Sequence, residues 1–106
     1  MIHLTEFKGA IINLNKIKVT FRAKKYNNAI ITRVTAPMDY ALSKRYKDNI
    51  ERYHFWDFEG SERQHNLSLL ETEIVSIEVL DEKFEPSSFV AWETNWSIKR
   101  DWGSFS

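Results

Sequence analysis

The strictest pattern in this sequence is the alternation of polar and apolar side chains in KIKVTFR (16–22). Ile17, Val19 and Phe21 fall on one side, and the Lys, Thr and Arg residues fall on the other. Because successive side chains of a strand point to opposite faces, this pattern predicts a strand with one buried face.

A hairpin is predicted from the residues that follow. Tyr26-Asn27-Asn28 supplies turn residues, and AIITRVTA (29–36) is typical of a second, β-branched strand. Pro37 cannot donate to a strand ladder, so it is expected to end this strand.

Further elements are predicted on both sides of the hairpin. LTEFKGAIIN (4–13) predicts a short helix capped by Thr5, with Phe7, Ile11 and Ile12 on one side. Leu42, Tyr46 and Ile50 recur at four-residue spacing, so 38–52 is expected to be a short helix or an ordered loop. Three more strands are predicted at 53–58, 63–69 and 74–80, with turns at 59–62 and 71–73.

These elements predict a mainly β fold of one domain, 1–106. A small sheet protects its edges best by curling, so a strongly bent, five-stranded small barrel is expected over 4–86. The extension 87–106 holds three of the four Trp residues and opens with a short helix predicted from EPSSFVAW (85–92). This Trp-rich extension is expected to pack on the barrel.

The strand 53–58 carries bulky side chains on both faces. Tyr53 and Phe55 lie on one face, and His54, Trp56 and Phe58 lie on the other. Trp56 and Phe58 are favoured as the inward face, because three bulky groups need more cover than two.

Several classes of function are disfavoured. There is no Cys, which excludes disulfides, thiolate metal sites and a Cys nucleophile. His3, His54 and His65 are interpreted as sheet-surface histidines rather than metal ligands, and no catalytic motif is present. A cytoplasmic binding protein without a cofactor, and not an enzyme, is therefore expected; no apolar run is long enough to span a membrane.

Charge is distributed unevenly along the chain. Residues 16–50 contain nine Lys or Arg and two acidic residues, whereas 51–84 contain three Lys or Arg and nine acidic residues. The two segments either make the molecule a charge dipole or neutralise each other across the fold.

A basic and aromatic barrel face suggests a module that binds single-stranded nucleic acid or a nucleotide-type ligand. Lys16, Lys18, Lys24 and Lys25 extend the candidate basic track, and Tyr26 and Tyr46 are further stacking candidates. The candidate ligand-binding residues are Arg33, Lys44, Arg45, Tyr53, His54, Arg63 and His65. The alternative is a protein-interaction or homodimerisation module, because Trp and Arg dominate interface hot spots. Its candidate interface residues are Trp92, Trp96, Arg100 and Trp102.

The order of these segments resembles the WYL domain, the Sm-like β-barrel module of bacterial transcriptional regulators. The resemblance runs from Leu4 to Pro86 and is closest in SIEVLDEKFEP (76–86). The family's Trp-Tyr-Leu is replaced by Tyr53-His54-Phe55, and both arginines of its basic Phe-Arg-Leu-Asp-Arg-Ile signature are missing from 65–74. The resemblance implies a regulatory module that recognises phosphate or nucleic acid, with Arg33 as the one matching basic residue.

Overall fold

The computed structural model describes residues 2–61 and 64–106, in which five antiparallel strands form one sheet that packs against a helix. The elements are α1 (Leu4–Asn13), β1 (Asn15–Ala23), β2 (Ala29–Leu42), β3 (Glu51–Ser61), β4 (Gln64–Leu69) and β5 (Ile74–Lys83). The strand order in the sheet is β4-β3-β2-β1-β5. The predicted mainly β fold with an N-terminal helix is confirmed. In the described residues β4 and β5 are the two edges, and the sheet is not closed into a barrel.

The β1–β2 hairpin forms as its sequence predicts. Ile17, Val19 and Phe21 are buried. Asn27 and Asn28 adopt left-handed φ values of 55° and 61°, a conformation that Asn tolerates better than most residues. The expected turn after β3 includes Glu62 and Arg63, which lie outside the described residues.

Strand β2 is longer than predicted, and Pro37 does not end it. Its first half pairs with β1 and its second half pairs with β3, and Thr35 pairs with both Ile17 and Asp57. Pro37 lies where the β2–β3 register shifts, between Pro37 and Asp39, and an irregularity of the ladder tolerates a residue without an N–H. The helix considered for 38–52 is wrong, because β2 continues to Leu42 and a loop leads to Glu51.

Helix α1 has the predicted bounds but not the predicted cap. His3, not Thr5, precedes the first helical residue, and no side chain caps the helix. Phe7 and Ile11 are buried, whereas Ile12 is 60% exposed. Ile12 follows Ile11 by about 100° around the helix, which turns its side chain to solvent.

The prediction that Trp56 and Phe58 form the inward face of β3 is wrong. Tyr53 and Phe55 are fully buried, while Trp56 and Phe58 are half-buried. Phe7 of α1 packs edge-on against both, with ring centroids 5.0 Å from Tyr53 and 5.3 Å from Phe55. The helix therefore covers the Tyr53 face.

The C-terminal extension lies against the helix and the sheet. It begins with a 3₁₀ turn at Pro86–Ser88, where a short helix was predicted. The Trp102 indole N–H donates to the carbonyl of Ile11 at 2.9 Å, at the end of α1. Within the described residues, no helix is both long and apolar enough to cross a membrane.

Candidate functional site

A cavity of about 410 Å³, the basic cavity, opens beside the β1–β2 turn. Its walls come from the end of β1, the turn after it, β2, β3, β4 and the loop before β3. Its charged residues are Arg22, Lys24, Lys25, Arg33, Arg52, Asp57 and Glu73. Five cations and two carboxylates give the cavity a positive balance.

The turn after β1 contributes most of the accessible positive charge. Lys24, Lys25 and Tyr26 form a 3₁₀ turn at Lys24–Tyr26, next to the two Asn residues with left-handed φ. The Lys25 ammonium lies 5.6 Å from the centre of the Tyr26 ring. Among the described residues, no carboxylate lies within ion-pair distance of Arg22, Lys24 or Lys25.

Arg33 and Asp57 form a loose ion pair in the wall. The register that aligns Val19 with Arg33, and Thr35 with Asp57, places both side chains on the face that also carries the core. The Nε of Arg33 is 3.6 Å from Asp57 Oδ2, which is longer than a hydrogen bond. Burial raises the pKa of the Asp57 carboxyl, while the Glu59 N–H and the Arg33 guanidinium oppose that rise.

Arg52 is held more tightly than Arg33. Its two terminal nitrogens donate to the Asp48 carboxylate at 3.0 and 2.9 Å, and its guanidinium lies 4.1 Å from the centre of the Tyr46 ring. These hydrogen bonds hold the pKa of Asp48 at about 2 and raise the pKa of Arg52. The pair fixes Tyr46 and Arg52 as one side of the basic cavity.

The predicted ligand-binding residues do not form one surface. Arg33 lines the basic cavity, whereas Lys44 and Arg45 are exposed on the loop before β3 and are not part of its walls. The Arg45 guanidinium lies 5.7 Å from the centre of the ring of Tyr46, which does line the cavity. Arg63 lies outside the described residues.

Tyr53 and the two strand histidines have intramolecular partners. The Tyr53 hydroxyl donates to Glu71 at 2.7 Å, and burial raises the pKa of this phenol. His54 donates through Nε2 to the Ala41 carbonyl at 2.9 Å and accepts from Ser68 through Nδ1 at 2.8 Å. Tyr53 is fully buried, so its ring offers no face to a stacked base.

His65 belongs to an aromatic stack on the other face of β3. Its Nδ1 donates to the Asp57 carbonyl at 2.7 Å, and its ring stacks on Trp56 with centroids 4.7 Å apart. Within the part of the chain that the structure describes, no three His, Asp or Glu side chains gather as a metal site requires.

Part of the basic segment is neutralised across the sheet. Lys16 pairs with Glu82 at 2.6 Å, and Lys18 lies 3.7 Å from Glu78, both between β1 and β5. These two ion pairs neutralise part of the positive charge of segment 16–50 with acidic residues of segment 51–84, which is one of the two arrangements considered above. Neither Lys16 nor Lys18 lines the basic cavity.

The candidate interface residues are largely engaged within the chain. The Arg100 guanidinium lies between the rings of Trp96 and Trp102, at 4.2 and 4.4 Å from their centres, and its side chain is 1% exposed. Trp102 is 5% exposed, whereas Trp92 is 43% exposed. Of the four, Trp92 presents the most ring surface to a partner.

Arg22, Arg52 and Asp57 were missed by sequence reasoning as site residues. Arg22, Lys24 and Lys25 all lie shortly before the Asn-Asn turn. Their position beside a predicted turn could have identified Arg22 together with the two lysines. Arg52 and Asp57 reach the cavity only through the β2–β3 register, which shifts at Pro37. No local pattern in the sequence reveals that shift.

Replacing Asp57 with Asn is expected to raise stability at neutral pH. The folded pKa of Asp57 is raised, so the carboxyl favours folding below its unfolded value near 3.9 and loses that contribution as pH rises through the folded value. Asn avoids a buried charge, and its Oδ1 can still accept from Glu59. Urea unfolding at pH 4 and pH 7 measures the change.

The exposed carboxylate Asp81 provides the matched control, because Asp81→Asn is expected to change stability little at either pH. If Asp57→Asn were less stable than the parent at pH 7, the attraction of Arg33 would outweigh the burial cost.

The cavity has to be interpreted from its own geometry and charges. Comparisons with family models, with curated proteins and with solved structures find no match for this chain.

Proposed function

We propose that this chain is a regulatory binding module whose basic cavity takes a nucleotide-type ligand or a short single strand of nucleic acid. The observation that carries the proposal is the convergence of Arg22, Lys24, Lys25 and Arg33 on one cavity that also contains Tyr26 and Tyr46. The module works as a cytoplasmic, non-enzymatic component of transcription regulation.

Two physical arguments support a ligand of this class. Guanidinium and ammonium groups bind phosphate, and each base stacked on an aromatic ring contributes about 1 to 3 kcal/mol. Tyr26 and Tyr46 are both exposed, and Tyr26 offers the more open ring because the Arg52 guanidinium already lies over that of Tyr46. The volume of about 410 Å³ falls among the sizes found for small-molecule sites.

We also propose that the sheet is related to the WYL domain, which is an Sm-like barrel. Arg33, the basic residue that matches this family, lines the cavity, which is consistent with a shared ligand site. The missing arginines of 65–74 are compensated in this proposal by the cations of the β1–β2 turn.

Reversing two cavity charges is expected to weaken binding. In Lys24→Glu/Lys25→Glu, affinity for a short single-stranded oligonucleotide should fall by more than roughly tenfold at low salt. If the four basic residues each contact a phosphate, the parent should lose roughly 50-fold in affinity between 50 and 200 mM salt, and the variant roughly 7-fold. Fluorescence anisotropy with labelled DNA and RNA measures both quantities.

The matched control makes the same change in net charge away from the cavity. Lys8→Glu/Lys99→Glu alters two exposed lysines of α1 and the extension and should keep most of the affinity. An equal loss of affinity in both double variants would show that the binding is non-specific charge attraction. Absence of binding by the parent at 50 mM salt would contradict the proposal itself.

The alternative is a protein-interaction module that uses the Trp-rich extension. Trp92 favours it, because this exposed ring stacks on Trp56 with centroids 6.3 Å apart and so enlarges an aromatic surface. Arg100 and Trp102 are committed to internal contacts, so an interface of this kind depends on Trp92. Comparing Trp92→Ala with Trp102→Ala tests this alternative.

A further inference from the structure

The carboxylate of Asp57 lies in a cavity whose charged side chains are mostly cationic, with Glu73 as the second carboxylate. Asp57 is 8% exposed and lines the same walls as the five cations. A carboxylate there weakens the binding of phosphate, so a cavity for phosphate alone gains nothing from it. Besides its loose pair with Arg33, this carboxylate suits a ligand that also carries hydrogen-bond donors.

Asp57 retains acceptor capacity for such donors. Its Oδ1 accepts from the Glu59 N–H at 2.9 Å, and its Oδ2 is 3.6 Å from Arg33 Nε, beyond hydrogen-bond distance. An ionised carboxylate offers about four acceptor positions on its two oxygens. Among the described residues, only the Glu59 N–H is within hydrogen-bond distance of this carboxylate, so ligand N–H groups can take the positions that it leaves open.

Lys24 and Lys25 lie at the other end of the hairpin from Asp57, whereas Arg33 lies beside it. Ala23, next to Lys24, pairs with Ala29, whereas Asp57 pairs with Thr35, six residues further along β2. Six residues of strand correspond to roughly 20 Å, before the reach of the side chains is counted. A ligand that contacts both Asp57 and the two lysines needs hydrogen-bond donors at one end and a negative group at the other, as the base edge and the phosphate of a nucleotide are.

We propose that the basic cavity prefers guanine nucleotides, with the phosphate at Lys24 and Lys25 and the base edge at the Asp57 carboxylate. The Watson–Crick edge of guanine presents two parallel N–H donors, in the arrangement by which a guanidinium binds a carboxylate. Uracil presents one N–H between two carbonyl groups, and those carbonyls repel a carboxylate. This inference rests on the proposed function and adds a base preference to it.

The test is an NMR titration of the full chain with 5′-GMP, 5′-IMP and 5′-UMP at about 50 mM salt. GMP should bind roughly 5- to 100-fold more tightly than UMP. IMP keeps the ring N–H of guanine but lacks its amino group, so its affinity should be intermediate. In Asp57→Asn the preference for GMP over IMP and UMP should disappear, while the salt dependence stays.

The outcomes separate this inference from the proposed function. Equal affinity for the three nucleotides, with a steep salt dependence, overturns the guanine preference and leaves a phosphate-binding cavity. No response to any nucleotide or to single-stranded DNA overturns both. The comparison of the three nucleotides uses the unaltered chain, so it stands even if Asp57→Asn folds poorly.

Discussion

Asp39→Ala is expected to lower the free energy of unfolding by about 3 to 5 kcal/mol, the usual cost of breaking a buried charge pair. The Asp39 carboxylate accepts from the backbone N–H groups of Ser97 and Ile98 at 2.8 and 2.9 Å. It is also the counter-ion of Arg100, whose NH2 lies 3.6 Å from Oδ1. Alanine would leave a buried guanidinium without an opposite charge and two backbone donors without an acceptor.

The state of Arg100 explains why this loss should be large. Burial lowers the pKa of its guanidinium to about 10, and Asp39 opposes that effect. Its two terminal nitrogens are buried and have no hydrogen-bond partner among the described residues. The loss is a large fraction of the total stability of a domain, about 5 to 15 kcal/mol.

Glu78→Ala is the matched control, because Glu78 also pairs with a basic side chain, that of Lys18, but both are exposed. Exposed pairs contribute little, so this variant should lose far less than Asp39→Ala in the same urea unfolding experiment. Similar losses in both variants would show that Asp39 does not anchor the extension to β2.

Trp102→Ala is expected to cost about 3 to 5 kcal/mol, as removal of a buried tryptophan generally does. Trp102 packs against Phe84 and Trp96 with ring centroids 5.4 and 5.5 Å away, and it supplies a donor to the Ile11 carbonyl. Trp102→Phe keeps much of the ring but removes this donor, and the Ile11 carbonyl then accepts only from the Leu14 N–H at 3.3 Å, so a smaller loss of about 0.5 to 1.5 kcal/mol is expected. Urea unfolding followed by far-UV circular dichroism measures both.

Trp92→Ala separates a covering role of the extension from an interface role. Because Trp92 is exposed, its loss should cost less than about 1 kcal/mol. Sedimentation analysis of the same variants gives the oligomeric state. If Trp92→Ala converts an oligomer to a folded monomer, the protein-interaction alternative is favoured; if Trp102→Ala is as mild as Trp92→Ala, the extension does not cover the core.

The sequence reveals those parts of the fold in which local pattern and tertiary environment agree. Strand β1 alternates because one face is buried, and the Asn-Asn turn requires the left-handed conformation that these residues tolerate. The bounds of α1 follow from its apolar spacing. In each case, residues close in sequence are sufficient to determine the local structure.

Prediction fails where partners distant in the chain decide the outcome. The burial of Tyr53 and Phe55, rather than Trp56, depends on Phe7, which lies more than forty residues away in sequence. The continuation of β2 past Pro37 depends on where β3 pairs. Arg33 was predicted from the family resemblance and lines the cavity, whereas Asp57 reaches the same cavity only through the pairing of β2 with β3.

Strand β2 belongs to two ladders at once, and Thr35 is the residue at which they meet. The Thr35 hydroxyl also donates to the Ile17 carbonyl at 2.9 Å inside the core. A strand shared in this way ties the β1–β2 hairpin to the β3–β4 pair, so neither can separate from the sheet without disturbing the other. The expected consequence is cooperativity: the sheet opens as one unit, and the walls of the basic cavity persist or vanish together.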